Sequence, residues 1–188
     1  MNSSEKKLNI LKKIILIILF IAFWVLLAIN IFKRDDNKGL ALAIFYVILF
    51  LPVTITILFD QKVFSLFIII LYEIAMVLMG IVMMSIGLAS GEYMKLDIVG
   101  LGIQVIYSLF MTACAIQFLR NKPHTLKIPC LVLGIIQCAM IIVSFSLNGV
   151  FDFETYYDFF RNLIILMIFT IYIVTFPNEE LHIFKDEK

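Results

Sequence analysis

The residue with the most chemistry to offer is Glu73, the only acidic side chain well inside one of the chain's apolar runs. Counted at 1.5 Å per residue from the start of its run, it lies about 15 Å deep, near the middle of a bilayer. A carboxylate at that depth costs a few kcal/mol, so it must face protein or water rather than lipid. Its functional reading is a proton- or cation-responsive site, or an anchor for a cationic or hydroxyl-bearing ligand. Its structural reading is a packing hydrogen bond to a neighbouring helix.

The same height arithmetic selects its companions. Gln137 and Cys138 fall about 14–15 Å deep, Trp24 about 15 Å, and Tyr107 and Ser108 about 17 Å. Gln137 or Tyr107 is the expected partner of Glu73. Helical spacing puts Gln104, Tyr107, Ser108, Met111 and Thr112 on one stripe. Cys130, Gly134, Gln137, Cys138, Ile141, Ser144 and Asn148 form another, and Glu73, Met76, Gly80, Met83, Met84 and Gly87 a third. Small and weakly polar stripes mark where helices touch in lipid, so these three are expected at the centre, as a packing seam or as the walls of a ligand cavity.

A second polar layer, about 20–24 Å from the same boundary, holds Asn30, Tyr46, Gln104, Ser144, Arg161 and Asn162. It reads as an outward vestibule or as the interfacial zone where polar groups cost little. Arg161 sits too far above Glu73 for a direct salt bridge and is placed to pair with Asp158, three residues before it. The segment 151–160, with six aromatics and three acids, reads as an interfacial aromatic belt or as a small lid or docking surface.

These residues are carried by a chain of 188 residues that is 63% hydrophobic and only 15% charged, with a mean hydropathy of +1.07. A soluble domain is about half apolar and about a quarter charged. Such a surplus needs an apolar solvent, which excludes a secreted disulfide scaffold, a nucleic-acid binder and a soluble enzyme. The net charge of +1 recruits no polyanion. Cys114, Cys130 and Cys138 lie in apolar runs without ligand spacing, and His124 and His182 are far from them, so no metal or other cofactor is implied.

Six stretches are long enough to cross a bilayer, at about 14–32, 40–59, 63–89, 98–119, 128–151 and 155–176. The expected fold is therefore all-α: a polytopic membrane protein with six transmembrane helices in one compact bundle, a single domain over 1–188 ending in a short charged tail from 177. The N-terminal run is too long for a signal peptide and lacks a cleavage site. Asp60 and Asp97 are expected as N-caps, Pro129 in the first turn of helix 5, Thr155 to Asp158 as a capping box for helix 6, and Pro177 as its stop. Pro52 is expected to kink helix 2, with Thr54 and Thr56 satisfying the local backbone.

With the N-terminus in the cytoplasm, the inner segments hold ten lysines and arginines and the outer segments five, so both termini are expected inside. Lys33 and Arg34 break that rule locally. No HExxH, GxSxG, P-loop or intramembrane carboxylate pair is present, so an enzyme is not expected. In size and helix count the chain resembles the substrate-binding subunits of energy-coupling-factor vitamin transporters. Ala22 and Ala28 are six apart, however, so the A-x-x-x-A-like docking motif of that family is absent and the likeness covers overall shape alone. The expected role is a transport-related subunit that binds or passes a small solute or ion in a cell membrane, bacterial by expectation. The alternatives are a non-catalytic accessory, immunity or scaffold subunit of a larger membrane complex, and an oligomeric channel. The expected partners are the lipid bilayer and a membrane protein or a second copy of this chain, with no nucleic acid.

Overall fold

Long apolar runs without alternation leave the backbone one way to satisfy itself in lipid, the helix. A computed structural model describes residues 3–33, 37–90, 95–121, 125–148 and 152–177, and among them there is no strand. Six helices follow in order: α1 (Ser3–Lys33), α2 (Asn37–Leu58), α3 (Lys62–Ser90), α4 (Lys95–Leu119), α5 (Lys127–Asn148) and α6 (Phe153–Val174). Stretches long and apolar enough to cross a membrane occur in five of them: Ile10–Lys33, Lys62–Ala89, Ile98–Leu119, Lys127–Leu147 and Phe153–Val174. The sixth, α2, has 22 residues, about 33 Å, and its sequence is apolar from about 40 to 59.

Short connections make consecutive helices antiparallel neighbours, and the chain closes into a ring because α1 packs on α6. Helix α6 also touches α4, so it leans toward the middle. All six helices then expose one face to lipid, seen in the open positions of Ile18, Ile48, Leu71, Ile106, Ile135 and Met167. The other face buries a chain of rings. Phe23 and Phe50 lie 4.2 Å apart between centroids, Phe50 and Phe169 5.9 Å, and Tyr72 and Phe169 4.9 Å. Since lipid tails are as apolar as these side chains, close packing rather than escape from solvent holds them. Glycines set the closest approaches. A Cβ added at Gly134 would meet Thr170 Oγ1 at 2.8 Å, and one at Gly80 would meet Val105 Cγ2 at 2.6 Å.

The helix ends correct several expectations. Asp60 is not an N-cap: it takes a left-handed φ of 58° in the turn after α2, and its carboxylate lies 3.6 Å from Lys13 Nζ. Asp97 lies within α4, two residues past its start. The cap of α6 is Asp152, whose carboxylate accepts the Thr155 backbone N–H at 2.8 Å, so Thr155 to Asp158 is not the capping box. In α4 and α6 the helix begins before the apolar run does, because polar residues fit its first turn outside the hydrocarbon, whereas α3 begins two residues after Asp60. For the same reason α1 starts about eleven residues ahead of the expected 14. Pro129 does fall in the first turn of α5, and Thr175 closes α6 two residues before Pro177.

Helix α2 runs through Pro52 unbroken. Thr54 donates to the Phe50 carbonyl at 2.8 Å and Thr56 to the Pro52 carbonyl at 2.8 Å. Residue 151 and the tail from 178 on lie outside the described residues.

Candidate functional site

Helices α3, α4, α5 and α6 do not meet perfectly at the middle of the ring. They leave a chamber of about 60 Å3 whose wall includes Glu73, Gln104, Tyr107, Ser108, Gln137 and Asn162. At about 10–15 Å3 of such space per water, it has room for about four to six waters. Tyr72, Met76, Ile141, Ile165, Leu166 and Phe169 supply its apolar side. The five residues singled out for a buried polar centre, Glu73, Gln137, Tyr107, Gln104 and Ser108, thus share one wall. Trp24 and Cys138, at the same height, do not line it; Trp24 instead donates its indole N–H to Thr54 Oγ1 at 3.2 Å.

Glu73 is 2% exposed, and the side chain that reaches its carboxyl is Ser108 of α4 rather than the expected Gln137 or Tyr107. Tyr107 is held from the other side: its hydroxyl lies 2.9 Å from Thr170 Oγ1 on α6. That bond rests on Gly134, whose missing side chain lets Thr170 approach α5. Gln137 is 5% exposed, yet its Oε1 has no hydrogen-bond partner. A buried acceptor left without a donor costs about 1–3 kcal/mol, a cost that a donor inside the chamber would remove.

A second, larger cavity of about 500 Å3 continues from the first. Gln104, Gln137, Ile141 and Asn162 belong to both walls, so the two share a boundary. The larger one reaches the surface at the N-terminus of α6, where Asp152, Glu154 and Asp158 line it together with Ser144. The acids of the 151–160 segment are therefore part of a cavity mouth, and Phe159 lines the same cavity. Phe159 lies 4.3 Å from Phe145, and Lys33 Nζ sits 4.6 Å above the Phe153 ring. Outside the hydrocarbon, the Asp152 carboxyl is held below the usual carboxylate range by its hydrogen bond to Thr155.

The outer polar layer divides. Asn162 and Gln104 face the cavities. Arg161 lies 5.3 Å from the ring centres of both Tyr46 and Tyr157, pairs with Asp158 at 2.7 Å, and donates to Asn162 Oδ1 at 3.1 Å. It orients two cavity residues without lining either cavity. Asn30, 1% exposed with neither amide atom bonded, lines neither.

At the opposite end the described residues pack against the end of α6. Lys127 Nζ donates to the Phe176 carbonyl at 2.6 Å and Lys12 Nζ to the Thr175 carbonyl at 3.2 Å. The Phe118 and Phe176 rings, 4.5 Å apart, fill the space between α4 and the end of α6. Among the described residues no three potential ligands gather into a metal site.

The fold and the span-length helices define the class: an all-α, multi-pass membrane protein. Compared with known families, with curated proteins and with solved structures, the chain matches none.

Proposed function

We propose that the protein is a transport-related membrane subunit that binds a small polar solute in the chamber at Glu73. The supporting observation is the unpartnered Gln137 Oε1 facing the same space as the Glu73 carboxyl, next to a larger cavity that is bordered by the acids at the start of α6. A packing role would leave that acceptor satisfied by a neighbouring helix. The packing at the lysine end favours binding over conduction, since a pore needs a path through both ends. Counting of basic residues puts the lysine end in the cytoplasm and the acid end outside a cell membrane, bacterial by the same expectation.

The test is thermal stabilisation of the purified chain by a panel of small anionic, neutral and cationic solutes. A ligand of the folded state raises its unfolding temperature with concentration. At least one charge class is expected to stabilise the native chain and not Glu73→Gln. Stabilisation by none of the three, or equal stabilisation of both chains, would refute the reading.

A further inference from the structure

The mouth of the two cavities has a sign. Asp152, Glu154 and Asp158 stand there, and among the described residues no lysine or arginine lines either space. Arg161 is ion-paired with Asp158, but its guanidinium lies against Tyr46 and Tyr157, outside both linings. Fields from like charges around a cavity with low-dielectric walls concentrate the opposite charge inside it. The inner end adds acceptors: the Glu73 carboxyl and the unpartnered Gln137 Oε1. Both want N–H donors.

Size and polarity narrow the choice. The chamber, at about 60 Å3, is too roomy for a bare alkali ion, and it is half walled by Met76, Ile141, Leu166 and Phe169 rather than ringed with oxygens. An alkali ion stripped of water needs a full shell of oxygen ligands, as the carbonyl rings of ion filters supply. An ammonium or guanidinium head needs only a few acceptors on one side and tolerates apolar contact on the other.

We infer that the site takes a small organic cation, a primary ammonium or guanidinium group on a short apolar stem, arriving through the acid-lined mouth and seating its head between Glu73 and Gln137. This rests on the solute-binding role proposed above and adds the class of solute. Three probes of one size test it on the purified full-length chain: n-butylammonium chloride, sodium n-butyrate and n-butyramide, with sodium chloride as the ionic control. Butylammonium is expected to bind by calorimetry and to raise the unfolding temperature, with affinity at least about ten-fold weaker in Glu73→Gln. Stabilisation by butyrate or butyramide that Glu73→Gln abolishes would overturn the cation and keep the solute-binding role. Absence of binding by all three would overturn both.

A second measurement does not depend on Glu73→Gln folding. In a chain whose three cysteines are replaced by alanine, Ser144→Cys places one thiol on the mouth cavity. A trimethylammonium methanethiosulfonate is expected to react there about ten-fold faster than the sulfonate reagent, a ratio reduced by Glu154→Gln. Equal rates, or a faster anion, would overturn the proposal.

Discussion

The two ends of this bundle carry opposite charge and treat it in opposite ways. At the lysine end the cations are turned inward on the protein: Lys12 and Lys127 bond the last carbonyls of α6 and lie over the Tyr172 and Phe118 rings, and Lys13 faces Asp60. Lys12 and Lys127 meet the partial negative charge that the C-terminal end of α6 presents, and Lys13 meets a carboxylate, so these charges are spent on the protein itself. At the acid end, α6 presents its N-terminus. Asp152 caps it, and with Glu154 and Asp158 it borders a space rather than a neighbour's backbone. One helix thus has one end bonded by cations and the other bordered by anions. The lesson is that the same helix dipole serves both ends, and only the presence of side chains able to fill the gap decides which is packed.

Four substitutions sharpen or break that contrast. The largest effect is expected where α5 meets α6: Gly134→Val drives a branched side chain into Thr170. Overpacking of this kind costs about 1–3 kcal/mol and lowers the unfolding temperature in detergent. Gly102→Ala, with nothing within 4 Å of the added carbon, is the matched control and is expected within about 0.5 kcal/mol of the parent. At the lysine end, Lys127→Met removes a 2.6 Å bond from the Phe176 carbonyl. Because this end is only partly buried, about 1 kcal/mol is expected, read as faster amide exchange around residues 174–176. Unchanged exchange there would show that the lysines do not hold the end.

The smallest effect concerns pH. The Asp152 carboxyl titrates below its usual value because the Thr155 N–H stabilises its charged form. That contribution is present above the ordinary aspartate range and is lost as pH falls through the depressed value. The first turn of α6 is therefore expected to fray in acid, with exchange at Thr155 rising below about pH 4 after correction for intrinsic rates. Asp152→Ala is expected to show the frayed level at every pH.

Much of this was legible from spacing alone. A single carboxyl in an apolar run marks Glu73, and rise per residue puts Gln137, Tyr107 and Ser108 at its height because membrane helices all start from nearly the same plane. Azimuth is not legible in that way. Height placed Trp24 and Cys138 beside Glu73 and grouped Asn30 with Asn162, yet the order of helices around the ring turns Trp24 toward α2 and leaves Asn30 off the cavities. The share of α6 in the chamber, through Asn162, Leu166 and Phe169, depends on its inward lean and had no signal beyond Asn162. The acids of 152–158 were readable as charges but not as a cavity rim. The caps of α4 and α6 were misplaced because apolar runs mark the hydrocarbon, whereas these helices start outside it.

Tyr107 borders a chamber with room for water, whereas Tyr172 packs at the lysine end. The two provide a matched pair, each 3% exposed, one on the chamber and one beneath Lys12. Hydroxyl-radical footprinting with mass-spectrometric readout uses a reagent generated from water itself. Tyr107 is expected to oxidise several-fold faster than Tyr172; equal protection of the two rings would contradict the account.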